Sequence, residues 1–110
     1  MGAAATGIYG AVFLPAKQAL ELANEHIGEF TVAGEKYKWD LIFEDNGWDS
    51  EGGVASAIKL IFDNGVNFMF QIGGDPALAA QTVCEQSEVV LFTSSIPLDA
   101  FGPEKPHTFL

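Results

Sequence analysis

Hydrophobic positions in the first third of the chain recur at helical spacing. Phe13, Ala16, Leu20, Ala23 and Ile27 step by three and four residues, with Lys17, Glu21 and Glu25 outside that face. Pro15 fits the first turn, where a missing N–H costs nothing, and Gly28 is a stop. The polar stretch 29–36, with Gly34, predicts a loop. The pattern then changes. Residues 37–43, Tyr-Lys-Trp-Asp-Leu-Ile-Phe, end in a continuous apolar run, which predicts a strand covered on both faces.

Residues 44–49 are rich in turn formers and predict a loop, with Asp49 or Ser50 capping a second helix. Val54, Ala57, Ile58, Ile61 and Phe62 form the apolar face of that helix, and Asn64-Gly65 ends it. A second strand is predicted over 66–72, a third helix over 76–86 and a third strand over 89–92, broken by Thr93-Ser94-Ser95. Residues 96–107 hold three prolines and one glycine and predict irregular chain, with a last short strand starting at 107–110. Strands of five to seven residues alternating with helices predict an α/β fold: a Rossmann-like parallel sheet with flanking helices. Such a wrap ordinarily opens on a strand. Gly2-Ala3-Ala4-Ala5-Thr6-Gly7 is poor strand sequence, so the expectation is a single partial domain over 1–110 that lacks its first strand.

Charge narrows the function classes. Five lysines, no arginine and fifteen carboxylates give a net charge of −10. That excludes a phosphate-reading nucleic-acid binder and an anionic membrane surface as partner. One cysteine, Cys84, excludes an internal disulfide and a cysteine-based zinc site. No segment reaches the length of an apolar membrane span, and the start has neither the basic nor the apolar region of a signal peptide. If the parent protein is exported, its leader is expected outside these residues.

Candidate chemistry gathers at predicted strand ends. Gly73-Gly74-Asp75-Pro76 joins a strand to a helix, where backbone N–H groups can hold an anion. A tight turn capped by Asp75 accounts for the same residues. Ser94 and Ser95 end the next strand and offer hydroxyls to the same edge; ordinary turn bonding is the alternative there. Glu44, Asp45 and Asp49 crowd a third strand end but lack the calcium-loop spacing, and a solvated acidic loop explains them. Trp39 and Trp48 read as packing residues. No nucleophile–base–orienter set is present, so the chain reads as a binder and not an enzyme, with no cofactor and no metal implied.

These residues together resemble a known family. Thr6-Gly7-x-Tyr9-Gly10 precedes a helix reading Ala-Leu-Glu-Leu-Ala-Asn-Glu-His-Ile. Leu41-Ile42-Phe43-Glu44-Asp45 precedes Gly52-Gly53-Val54-Ala55, then Ala57, Lys59-Leu60-Ile61 and Gly65-Val66. Gly73-Gly74 precedes a helix, and Val90-Leu91-Phe92-Thr93-Ser94-Ser95 follows. The set is similar to the N-terminal lobe of the type I periplasmic solute-binding proteins of ABC transporters, the branched-chain amino-acid branch above all. The resemblance implies a two-lobed parent, a sheet ordered 2-1-3-4-5 and a small polar solute, such as an amino acid, held between lobes. It implies an ABC-transporter permease as partner and a periplasmic or extracellular location. It points to Tyr9, Gly74, Asp75, Pro76, Ala77, Ser94 and Ser95 as ligand contacts. Asp75-Pro76-Ala77 stands where amino-acid binders of this family offer Ser or Thr, and an anionic Asp75 would repel a carboxylate. A sugar, polyol, amide or cationic solute is therefore also open. A ligand-sensing regulatory domain of the same fold is an alternative function, as is a receiver-like phosphoacceptor domain using Asp45. A vacancy left by a missing opening strand would favour association, so a homo-oligomer is expected.

Overall fold

A computed structural model of the chain describes residues 1–3, 5, 10–94 and 96–110. Its elements are β1 (Gly2–Ala3), α1 (Gly10–Ile27), β2 (Phe30–Val32), β3 (Glu35–Tyr37), β4 (Glu44–Asp45) and α2 (Ser50–Ile58). A π-helical turn (Lys59–Asp63) extends α2. Then come β5 (Phe68–Gln71), α3 (Gly74–Gln86), β6 (Val90–Thr93), a 3-10 turn (Leu98–Ala100) and β7 (Thr108–Phe109). Five strands form a parallel sheet in the order β4-β1-β5-β6-β7. Among those five strands, taken in chain order, this is the 2-1-3-4-5 order the resemblance implied.

The opening strand departs from expectation. It is not missing but cut to two residues, Gly2 and Ala3, seated between β4 and β5. Backbone bonds hold it on both sides. Ile72 N–H donates to Gly2 O at 2.9 Å, and Asn46 N–H donates to Ala3 O at 3.1 Å. Propensity spoke against a strand here, and tertiary pairing overrode it. The vacancy between the neighbouring strands is thereby filled, which removes the edge-pairing argument for association.

Two more elements differ from the pattern. Residues 29–36 are not a loop but most of a β2–β3 hairpin, turned at Ala33 and Gly34 with φ of 51° and 85°. A two-residue turn with both φ positive matches strand twist. Only Tyr37 of the strand expected over 37–43 is in a strand, and that strand is β3; the main-sheet strand lies at Glu44–Asp45. The aromatic rings explain the shift. Phe30 stacks on Tyr37 at 6.1 Å and on Trp39 at 5.4 Å, so this segment turns toward the hairpin before rejoining the sheet.

The core lies on one side of the sheet. Met69, Gln71, Leu91, Thr93 and Thr108 point to the side where α2 and α3 pack, and all are buried. Ala57, Leu60, Ala80 and Cys84 complete that core, with Ala77, Ile96 and Ala100 in a second cluster. Burial pushes the Cys84 thiol up to about 12, so it stays protonated. The expected face of the second helix holds at Ala57 and at Ile61, which packs against the core, and is corrected at Ile58 and Phe62. Leu60 is buried, while Ile58 and Phe62 are exposed. The buried positions Gly53, Ser56, Ala57 and Leu60 keep three- and four-residue helical spacing into the π-turn, which leaves Ile58 and Phe62 off that face. On the opposite side, α1 lies over the β4 end. Phe13 meets Phe43 edge-on at 6.2 Å, and the Asn24 amide donates to Trp39 O at 3.2 Å. No residue of α1 is fully buried. On the side of β5, β6 and β7 away from α2 and α3, the described residues leave Phe68, Phe70, Phe92 and Phe109 exposed.

Candidate functional site

All five main strands run the same way, so their carboxyl ends meet at one edge of the sheet. The middle of that edge is built by a buried amide network. The Asn46 side-chain amide donates to Gln71 Oε1 at 3.0 Å and to Ile72 O at 2.9 Å. The Gln71 amide donates to Ser56 Oγ at 2.9 Å, and Ser56 Oγ donates to Gly53 O at 3.1 Å. All three side chains are buried. A Cβ on Gly2 would stand 2.1 Å from Gln71 Oε1, so any larger residue there would have to displace that buried amide from its bonds. Sequence reasoning missed Asn46 and Gln71. Asn46-Gly47 was legible as a turn, but nothing local said that its amide reaches a residue on another strand.

Loop geometry follows from the network. Asn46 Oδ1 accepts from Trp48 N–H at 3.1 Å, and Asp49 caps α2 by accepting from Gly52 N–H at 2.7 Å. Asp45 Oδ1 accepts from the N–H groups of Ala5 and Gly47, both at 2.9 Å. That carboxylate thus organises two loops at the strand ends, a role that fits poorly with a phosphoacceptor. Glu44 pairs with Lys59 at 3.2 Å. Among the described residues no group of three metal-ligating side chains gathers.

The glycine turn lies beside this network. Gly73 has φ of 106°, and a Cβ there would meet Pro76 Cγ at 2.7 Å and the Trp48 ring at 3.4 Å. Gly74 is half-buried and Asp75 exposed at the start of α3. Pro76 and Ala77 are buried: Pro76 presses against Gly53 of α2, and Ala77 belongs to the second core cluster. Their side chains serve packing, so main chain is what they can offer a ligand. Ser94 is exposed just after Thr93, which is in register with Gln71. The turn and Ser94 thus sit on adjacent strand ends. Tyr9 and Ser95 lie outside the described residues. Trp48, read from the sequence as packing, stands against the glycine turn with its ring half-buried.

No protein-family model matches the chain, and no curated protein matches it. Solved structures do. A solute-binding protein of an ABC transporter from Rhodopseudomonas palustris BisB5, in complex with 3,4-dihydroxybenzoic acid, superposes with a TM-score of 0.78 at 23% identity. The match covers 97% of this chain and 29% of that one. This chain has the fold of those solute-binding proteins. A periplasmic binding protein from Burkholderia mallei matches with a TM-score of 0.72 at 16% identity, covering 97% and 29%. An extracellular ligand-binding receptor from Rhodopseudomonas palustris HaA2 matches with 0.72 at 19%, covering 97% and 28%. The chain thus spans under a third of the length of the binding proteins whose fold it shares. Its α/β architecture and the resemblance read from its residues agree with that fold.

Proposed function

We propose that this chain is the N-terminal-lobe wall of an extracytoplasmic solute-binding protein serving an ABC transporter. The observation that carries the reading is the convergence of strand ends. Gly74, Asp75 and Ser94 share one edge with Trp48, and buried amides hold that edge in place. In open α/β sheets that edge is where ligands bind. The solute is small and polar. Main-chain groups of the glycine turn and the Ser94 hydroxyl hydrogen-bond it, and the Trp48 ring offers an apolar wall. Ser95 and Tyr9 are further proposed contacts, as is the main chain of Pro76 and Ala77. The bound 3,4-dihydroxybenzoic acid of one structural neighbour makes hydroxylated aromatic acids a class to test beside amino acids. The membrane permease and a second lobe would be partners of the full-length protein, in the periplasm or at the cell surface. Among the described residues no helix is long and apolar enough to cross a membrane.

Calorimetric titration with amino acids, polyols and hydroxybenzoic acids tests the reading. One wall leaves a ligand largely wet, so binding no tighter than about millimolar is expected, or roughly −4 kcal/mol. Asp75→Asn should favour anionic solutes by removing a like charge, and Trp48→Ala should weaken aromatic ones. Binding that ignores Asp75, Trp48 and Ser94 alike would overturn the site.

A further inference from the structure

The chain holds two Asn-Gly pairs, Asn46-Gly47 and Asn64-Gly65. Glycine has no Cβ to shield its backbone nitrogen, so in a free chain that nitrogen can reach the Cγ of the asparagine before it. The fold treats the two pairs differently. Asn46 is 0% exposed, and its side-chain amide is committed on both atoms. Nδ2 donates to Gln71 Oε1 at 3.0 Å and to Ile72 O at 2.9 Å, while Oδ1 accepts from Trp48 N–H at 3.1 Å. Gly47 N–H donates to Asp45 Oδ1 at 2.9 Å. A carboxylate in that position holds the proton on the nitrogen, because losing it would set one anion against another. Asn64 and Gly65 are exposed at the end of the π-turn. Their bonds, Asn64 Nδ2 to Lys59 O and Gly65 N–H to Ile61 O, are both 3.0 Å and belong to a helix end, where local opening is easiest.

We propose that Asn46-Gly47 is a self-modification site, closed in the folded protein and reached only when the strand-end edge opens, and that its conversion keeps the edge from closing again. In the open state Gly47 N bonds to Asn46 Cγ, the Cγ–Nδ2 bond breaks, and ammonia leaves with the glycine proton. Water then opens the cyclic imide at either carbonyl, giving an aspartyl or an isoaspartyl link. The aspartyl form puts a carboxylate oxygen where Nδ2 had donated. Gln71 can turn its amide over, but Ile72 O cannot become a donor, so a buried anion faces an acceptor. The isoaspartyl form adds a methylene to the main chain. Asn46 N–H donates to Ala3 O at 3.1 Å, and Asn46 O accepts from Asp49 N–H at 3.2 Å. A Cβ on Gly52 would stand 2.1 Å from Asn46 O, so the start of α2 leaves no room for a longer backbone. Either product loosens the short central strand, whose flanking bonds run through Asn46 and Ile72. Loss of solute binding follows if this edge is the solute site; the conversion and the failure to close stand without it.

Peptide mass mapping of the 110-residue protein, aged at mildly alkaline pH with and without guanidinium chloride, is the test. Cleavage after Lys59 puts the two pairs on separate peptides, and each conversion is read as the mass difference between an amide and an acid. In denaturant both pairs should convert at similar rates. In the folded protein Asn46 should convert at least about 100-fold more slowly than in denaturant, and more slowly than Asn64. Chains aged in denaturant are then returned to native buffer. Those converted at Asn64 alone should refold with the unconverted protein, and those converted at Asn46 should be missing from the refolded fraction or melt at lower urea. Asn46→Asp should lower the urea midpoint or fail to fold, while Asn64→Asp leaves the midpoint in place. Folded-state conversion of Asn46 as fast as in denaturant, or faster than that of Asn64, overturns the inference. So do Asn46-converted chains that refold and melt like the rest.

Discussion

Glu85 holds the end of the sheet through a single carboxylate. It accepts from Thr108 Oγ1 at 2.6 Å and from His107 N–H at 3.2 Å, and its Oε2 lies 3.0 Å from His107 Nδ1. Burial pushes this carboxyl up, but the bonds from Thr108 and His107 outweigh burial and hold it below the usual glutamate range. A lowered folded-state value means stability that is present above the unfolded value and lost as pH falls through the folded one. Glu85→Gln should therefore cost about 1–2 kcal/mol at neutral pH. The gap to the parent protein should narrow in acid, once both side chains are uncharged. Urea unfolding at neutral and acid pH measures it, and a gap that does not move with pH would assign the effect to shape alone. None of this was legible in the sequence, where His107 sits in a proline-rich tail and Glu85 on an ordinary helix.

At the level of elements, α2 and α3 touch through main chain. A Cβ on Gly53 would stand 2.3 Å from Pro76 O and 2.5 Å from Pro76 Cα. Backbone atoms cannot swing aside as a flexible side chain can. Alanine is the better helix former, by roughly 1 kcal/mol. Gly53→Ala should still destabilise by about 1–3 kcal/mol, because the two helices must separate. A lower urea midpoint is the expected reading; an unchanged midpoint would mean that the helices part freely. The same closeness positions the glycine turn, since Pro76 follows Gly74 and Asp75 directly in the first turn of α3. The turn itself was readable as Gly-Gly-Asp-Pro. What Pro76 and Ala77 do was not, because burial against α2 and the second core cluster is a long-range property.

Over the whole molecule, the net charge of −10 works against compactness. The radius of gyration is 14.1 Å, above the roughly 13 Å usual for a chain of this length. A bare sheet face and an outlying β2–β3 hairpin fit that excess. Ion pairs offset little of the repulsion. Lys36–Glu29 is largely exposed and Lys17–Glu21 and Lys59–Glu44 are partly so, and such pairs contribute about 0–1 kcal/mol each. Raising the salt concentration should therefore stabilise the protein, because screening relieves more repulsion than attraction. Thermal unfolding at low and high salt reads the sign; a melting temperature that falls with salt would place the attractive pairs in control.

Local periodicity determined by itself that the chain is α/β, that three helices alternate with strands, and that Gly73-Gly74 and Ser94 stand at strand ends. Those are properties of neighbours in sequence, and side-chain spacing reports them directly. Tertiary structure alone decided that Gly2–Ala3 is the central strand. Two residues of no strand propensity are held there by bonds from Asn46 and Ile72 and by room under the Gln71 amide. It also decided which face of the sheet is dry. Continuous apolar runs record what each side of a strand would favour, and the placement of α1 above Phe43 and of α2 and α3 on the other side sorts Met69 and Leu91 into the core and Phe70 and Phe92 away from it.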